Sequence, residues 1–116
     1  MESIKYFKAL SDETRLRILL LLSKRSLCVC QMQEILELPQ SKISKHLSKM
    51  RDQNIVKSFQ EGKFVKYELG NNAFLKSIIE QTKETYSEDP QFIKDEARIY
   101  DFDDLIGGED NVAKGQ

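Results

Sequence analysis

Cys28 and Cys30 are the residues whose type and spacing most directly predict chemistry. They are the only two cysteines and a single valine separates them, so a disulfide between them would hold no distant segments together. A reduced thiol pair is a ligand for soft ions, a target for oxidation, or simply two small side chains in a core. The residues alone leave these three interpretations open.

A second group combines short hydroxyl side chains with cations over residues 40–53. If Ile43 lies at the centre of the buried face of a helix, these side chains project to the opposite side. Serines are mediocre interior helix formers, so three of them on an outward face indicate contact with a partner. Hydroxyls near the N-terminus of such a helix can approach base edges, and lysines can reach phosphates. The predicted DNA-contacting residues of this helix are Gln40, Ser41, Lys42, Ser44, Lys45, His46, Ser48 and Lys49.

The net charge of −1 hides a division along the chain. Residues 1–86 hold 15 Lys+Arg against 10 Asp+Glu, a net +5, whereas residues 87–116 hold three against nine, a net −6. Within residues 40–67 the count is seven against two, again +5. A local basic patch supplies the attraction to phosphate that the average conceals, although charge alone is equally consistent with a solvated face.

Apolar periodicity indicates which elements position these two groups. The pattern predicts a mainly α chain with a small β-hairpin, arranged as a winged helix-turn-helix. Ser11 is the predicted N-cap of a nearly apolar central helix, and Pro39 precedes the DNA-contacting helix. The predicted helices cover residues 2–10, 13–24, 29–38 and 40–53, and a last one runs from a cap at Asn71 or Asn72 to about 86. Between the last two helices, apolar and polar residues alternate as in a β-hairpin. This hairpin adds three predicted phosphate contacts, Lys57, Lys63 and Lys66.

The helix predicted over residues 29–38 positions the thiols, with Cys28 at its start and Cys30 in its first turn. A helix N-terminus lowers the pKa of a thiol, so both are expected to be partly ionised. Residues i and i+2 of an ideal helix point about 200° apart, so holding one ion would require this turn to distort. Since a short turn leads from this helix to the DNA-contacting one, such a distortion is a candidate mechanism of release from DNA.

Four segments together resemble the ArsR/SmtB family of metalloregulatory repressors: LSDETRLRIL at 10–19, LCVC at 27–30, QSKISKHL at 40–47 and GKFVKY at 62–67. The resemblance extends over residues 3–86. It implies a homodimer formed through the first and last helices and bound to double-stranded operator DNA with two inverted half-sites. It also implies release from that operator when an effector binds.

The LCVC segment is similar to the metal box of the arsenic, antimony, cadmium and lead branch, which implies Cys28 and Cys30 as ligands. That box usually has a third cysteine where this chain has Gln33. Two thiolates disfavour a four-sulfur cadmium or lead site and fit As(III) or Sb(III), held with a third ligand, as the effector. The zinc and nickel branch uses histidines and carboxylates on the last helix, which the single His46 does not supply. No structural metal is expected.

Two alternatives remain open at this point. The thiols could sense oxidants or reactive sulfur species, or the winged helix could be a protein-interaction module with no salt-dependent duplex binding. His46 is similarly ambiguous, since phosphate contact, backbone capping and partial burial all suit its place near the core. An enzyme is not expected, because the sequence lacks a nucleophile–base pairing, a phosphate-cradling glycine motif and a catalytic metal set.

The chain is expected to divide at residue 86. Residues 1–86 would form the DNA-binding and dimerisation domain, and residues 87–116 an acidic, flexible tail. Several apolar side chains of that tail could still dock: Phe92, Ile93, Ile99, Tyr100 and Phe102. The longest purely apolar stretch, 18–22, is too short to cross a bilayer, and no secretory leader pattern opens the chain. A cytoplasmic location without membrane contact is therefore expected.

Overall fold

The computed structural model describes residues 1–101, and its elements follow the predicted order with two additions, a short first strand and a sixth helix. The predicted class, mainly α with a small β-hairpin, is confirmed. The elements are α1 (Ile4–Leu10), α2 (Glu13–Leu22), β1 (Leu27–Cys28), α3 (Val29–Leu36), α4 (Gln40–Asp52), β2 (Val56–Glu61), β3 (Phe64–Leu69), α5 (Ala73–Thr85) and α6 (residues 90–101). Within residues 1–101, none of the helices is long and apolar enough to span a membrane.

The central helix α2 starts one residue later than its predicted cap implies. Asp12, not Ser11, is the N-cap, and its Oδ2 accepts a hydrogen bond from the backbone N–H of Arg15 at 3.0 Å. Ser11 instead ends α1, where its hydroxyl donates to the carbonyl of Lys8 at 2.7 Å. The prediction of Ser11 was therefore wrong, because both residue types cap helices and the backbone path decides between them. Residues 18–22 of α2 are all buried in one apolar cluster with side chains of α3, α4 and α5.

The sheet has the strand order β1-β3-β2, with both pairs antiparallel. Strands β2 and β3 form the predicted hairpin, called the wing below. Gly62 opens its two-residue loop with a φ of 61°, a conformation that a glycine adopts without steric cost. Strand β1 pairs with the other edge of β3 and sets Cys28 opposite Lys66. The thiol segment is thus joined by backbone hydrogen bonds to the wing.

Helix α6 lies within residues 87–116, for which the sequence predicts a flexible tail. Asp89 caps it, since its Oδ1 accepts from the N–H of Gln91 at 3.0 Å. Pro90 occupies the first helical position, where a missing N–H leaves no bond unmade. The prediction of a tail from residue 87 is therefore wrong for residues 90–101, because Asp-Pro here starts a helix and does not continue a loop.

Only some of the apolar side chains proposed to dock from this segment do so. Ile99 is buried, and Phe92 packs against the core cluster. Ile93 and Tyr100 are exposed. Phe102 lies outside the described residues, as does the remainder of the predicted tail. Helix α6 therefore extends the folded domain beyond the predicted boundary.

Candidate nucleic-acid interface and thiol site

Helix α4 has the two faces that its sequence predicts. Ile43, Leu47 and Met50 are fully buried, at the expected spacing of i, i+4 and i+7. On the other side, two of the predicted DNA contacts, Ser44 and His46, are half-buried. The remaining six are exposed: Gln40, Ser41, Lys42, Lys45, Ser48 and Lys49. The helix therefore rests on the core and presents a cationic, hydroxyl-rich surface to solvent.

The half-buried His46 lies beside the N-terminus of α2. Its Nε2 is 4.0 Å from Oδ2 of Asp12. Burial lowers the pKa of the imidazole below its ordinary value, while Asp12 opposes that change and nearby cationic side chains add to it. His46 is therefore mostly neutral at pH 7 and could contact a phosphate only as an uncharged hydrogen-bond donor. Its role in DNA contact stays a prediction.

The three lysines predicted on the wing differ in their surroundings. Lys57 and Lys63 are exposed, on β2 and in the loop. Lys66 is half-buried on β3, and its Nζ lies 2.8 Å from a carboxylate oxygen of Glu61. A phosphate would have to compete with that carboxylate for Lys66. Lys57 and Lys63 are therefore the better placed of the three for contact with a DNA backbone.

The two thiols lie at the junction of β1 and α3. Cys28 is the N-cap of α3 with an extended backbone, φ −87° and ψ 167°, and Cys30 is in the first turn. Cys28 is buried, Cys30 is exposed, and neither forms a disulfide. The side chain of Gln31 supports this junction, because its Oε1 accepts from the N–H of Cys28 at 2.8 Å.

The predicted geometric conflict between the thiols does not occur. The angle of 200° applies to two residues that are both helical, whereas the backbone of Cys28 is extended. The Cys28 thiol lies close enough to Cys30 to affect its ionisation. The angle from which the sequence predicts distortion of this turn therefore does not apply to the pair.

The ionisation of Cys30 also differs from expectation. The pKa of Cys30 is raised to about 11. Desolvation of its sulfur is the largest cause, and the interaction with the neighbouring Cys28 thiol adds to it. Backbone N–H groups of the first turn act in the opposite direction with a smaller effect. The prediction of a partly ionised thiol is therefore wrong for Cys30, because loss of hydration outweighs the helix N-terminus.

Iodoacetamide is expected to modify Cys30 slowly at pH 7 although the residue is exposed. Only the thiolate reacts, and partial desolvation of the sulfur together with the neighbouring Cys28 thiol keeps Cys30 protonated by raising its pKa. We expect a rate about ten to a hundred times lower than in urea-unfolded protein, rising steadily from pH 7 to pH 10. Mass mapping of the alkylated peptide measures this rate. Equal rates in folded and unfolded protein at pH 7 would contradict the raised pKa.

Among residues 1–101, no third His, Cys, Asp or Glu joins the thiols in a three-ligand cluster. Gln33 is exposed on α3, at the place where the resembling metal box usually has its third cysteine. The described part of the chain thus offers two thiols at this junction, and any further ligand for an ion would have to come from solvent or from elsewhere.

A helix-turn-helix with a cationic second helix, followed by a two-stranded wing, defines a winged-helix DNA-binding regulator. The family model described as "Bacterial regulatory protein, arsR family" matches residues 12–58. The chain is 38% identical over 90 residues to an arsenic resistance transcriptional regulator of Pseudomonas putida. That match covers 72% of this chain and 70% of the relative. The chain belongs to the arsR family of bacterial regulatory proteins, and it is a transcriptional regulator and not an enzyme.

Two further similarities support this assignment. The chain is 46% identical over 67 residues to the arsenical resistance operon repressor of Escherichia coli, a match that spans 57% of each chain. Its fold is similar to that of HlyU from Vibrio cholerae, with a TM-score of 0.70 and 32% identity. That match covers 75% of this chain and 94% of the other. Most of the winged-helix domain is therefore shared with solved structures.

A set of side chains that the local sequence pattern does not reveal meets at the C-terminal end of α3. Arg17 of α2 forms an ion pair with Asp95 of α6, with Nε and Oδ2 2.8 Å apart, and Arg98 of α6 donates to backbone carbonyls of α3. One signal was present: Arg17 directly precedes the apolar run 18–22 of α2, and a guanidinium that is drawn into a core needs a carboxylate. The nine acidic residues after residue 86 offered candidates, although nothing local identifies which one.

Proposed function

We propose that this protein is a transcriptional repressor that leaves its operator when trivalent arsenic or antimony binds Cys28 and Cys30. The observation that carries the proposal is the position of both thiols at the start of α3, the helix that directly precedes α4, the predicted DNA-contacting (recognition) helix. The names of the two relatives above, which both refer to arsenic resistance, support the choice of effector.

Ligand chemistry favours arsenite or antimonite over a divalent cation. Arsenite in neutral water is As(OH)3, and each As–S bond forms as a thiol proton and one hydroxide leave together as water. Two thiols therefore give an arsenic bound to two sulfurs and one oxygen, with no change in oxidation state. Structural sites for thiophilic divalent ions such as zinc usually take four protein ligands, a set that residues 1–101 do not gather here.

An ion at this site would act on both DNA-contacting elements. Cys28 is the last residue of β1, where it pairs with Lys66 of the wing, and it is also the N-cap of α3. A three-residue turn joins the end of α3 to the recognition helix α4. A backbone change at Cys28 would therefore be transmitted to the wing through β1 and to α4 through α3. Since Cys28 is extended and precedes the helix, release from DNA need not involve loss of helix.

We infer that two copies of the chain form the DNA-binding unit. α1 and α5 expose a shared apolar face on which Phe7 and Phe74 pack edge to face, with ring centroids 5.7 Å apart, and Ile4 is exposed nearby. An exposed apolar face of this kind is typical of a protein interface. A twofold dimer through it would match two inverted half-sites. Sedimentation equilibrium would give the monomer mass if this inference is wrong.

Operator binding titrated with ions is the test of the proposed function. The probe is a duplex selected by the protein from a random pool, and its affinity should fall steeply as salt rises from 50 to 200 mM. Arsenite and antimonite are expected to weaken binding by about 5- to 150-fold, with much smaller effects of cadmium and zinc. Fluorescence anisotropy measures each affinity, and circular dichroism reports helix content.

Variants of α3 separate the possible outcomes. Cys28→Ser and Cys30→Ser should each abolish the response to arsenite, whereas Gln33→Ser, at an exposed position of the same helix, should keep it. Equal release by arsenite in wild type and in both cysteine variants would remove the sensing assignment. Release by an oxidant alone, with a Cys28–Cys30 disulfide found by mass spectrometry, would instead identify a redox sensor.

A further inference from the structure

The C-terminal end of α3 is held by side chains from two other helices. The last four carbonyls of any α-helix lack partners within it. In α3 the carbonyl of Gln33 accepts from the N–H of Glu37 at 3.0 Å, as in an ordinary cap. The carbonyls of Glu34 and Ile35 both accept from the guanidinium of Arg98, the latter from Nε at 2.9 Å.

The fourth carbonyl is held by a side chain of another helix. Arg17 of α2 donates from Nη2 to the carbonyl of Leu36 at 3.0 Å. The same guanidinium makes a two-point contact with Asp95 of α6, with nitrogen–oxygen distances of 2.8 and 2.9 Å. Gln91 donates to the same carboxylate at 2.9 Å. Helix α6 therefore supplies one guanidinium that binds α3 directly and the carboxylate that orients the other.

This arrangement lies next to the turn between α3 and α4, and that turn sets the direction of the recognition helix. Glu37, the C-cap of α3, has a left-handed backbone with a φ of 57°, which residues other than glycine adopt at a cost of about 1–2 kcal/mol. Its carboxylate pairs with Lys94 of α6 at 2.9 Å. Two residues later Pro39 is the N-cap of α4. Helix α6 thus contacts both the final turn of α3 and the first residue of the turn that leads to α4.

We propose that Arg98 and the Arg17–Asp95 pair are positioning residues for DNA binding, which hold the end of α3 so that α4 leaves it in the direction needed to enter a groove. Two arginines that bind three consecutive carbonyls restrict both the tilt and the rotation of that helix end. None of these residues lies on the DNA-contacting face of α4 or on the wing. The proposal rests on DNA binding by the winged helix and is independent of which effector binds the thiols.

The test compares specific with non-specific DNA affinity. Arg98→Gln removes the guanidinium, and the control Lys83→Gln removes one positive charge from an exposed ion pair on α5. Arg98→Gln is expected to weaken binding to the selected duplex by roughly tenfold. Binding to an unrelated duplex of the same length, which depends mainly on total positive charge, should change in both variants alike and by far less. Arg98→Lys should recover part of the loss.

A merely structural role would give a different pattern. All affinities are measured well below the melting temperature of each variant, with the folded fraction checked by near-ultraviolet circular dichroism. If Arg98→Gln lowers the melting temperature but leaves the ratio of specific to non-specific affinity unchanged, the proposal is overturned. If Arg98→Gln does not fold, the ratio of specific to non-specific affinity is measured for Arg98→Lys, and an unchanged ratio there overturns the proposal. A failed arsenite response in wild type would contradict the proposed effector without affecting this ratio.

Discussion

Replacing Asp95 with alanine is expected to lower the free energy of unfolding by about 1–3 kcal/mol, because it leaves the partly buried guanidinium of Arg17 without its counter-charge. Asp95 is 4% exposed, and its carboxylate accepts hydrogen bonds from Arg17 and from Gln91. Removing the carboxylate alone abolishes its attraction to Arg17, whereas Arg17 still carries the free-energy cost of having lost water on folding. Urea denaturation at pH 7, followed by circular dichroism, measures the change.

Two further variants make this result interpretable. Glu96→Ala breaks the neighbouring, more exposed pair with Lys24, whose Nζ is 3.0 Å from the carboxylate, and should cost less than about 1 kcal/mol. Replacing Arg17 and Asp95 together with leucines should restore much of the loss, since it leaves no unpaired charge. A cost for Asp95→Ala as small as that for Glu96→Ala would mean that the pair is solvated in solution.

The second large effect is expected for Leu47→Ala on the recognition helix. Leu47 is fully buried beneath α4, in the cluster that includes Ile43 and Met50. Truncation removes buried apolar atoms and leaves a cavity, which costs about 2–5 kcal/mol of unfolding free energy. Because this cluster supports α4, operator binding should weaken along with stability. Urea denaturation and anisotropy on the same preparation measure both quantities.

The next residue supplies a matched control, because it lies in the same turn but is exposed. Ser48 is exposed, so Ser48→Ala should change the free energy of unfolding by no more than about 0.5 kcal/mol. If Ser48 contacts DNA as predicted, this variant should still weaken operator binding. Loss of stability in Ser48→Ala, or full stability in Leu47→Ala, would show that the two faces of α4 are assigned the wrong way round.

Helix α4 was predictable from its sequence to within one residue at its C-terminal end. The spacing of Ile43, Leu47 and Met50 matches the period of a helix, and that period also determines which side chains point outward. Such a pattern depends only on residues a few positions apart, so it can be recognised without knowing how the other elements pack. The wing was predictable for the same reason, since its alternation and its glycine turn are local.

The thiol site was predicted in its residues but not in its geometry. Both cysteines could be identified from their type and spacing, yet their relative orientation depends on whether Cys28 belongs to the helix or precedes it. Pairing of β1 with β3 holds Cys28 in an extended conformation. The residues that provide this pairing lie nearly 40 positions away, so the local pattern could not reveal it.

The sequence by itself determined the winged-helix order, the inward and outward faces of α4 and the presence of a thiol pair ahead of it. These features rest on periodicity and on residue type, which act over short distances along the chain. Only the tertiary structure decided that residues 90–101 fold against the core and that α6 holds the end of α3. The bonds of Arg17 with Asp95 and of Arg98 with α3 join residues more than 60 positions apart. Their energy depends on burial, which exists only once the helices have packed.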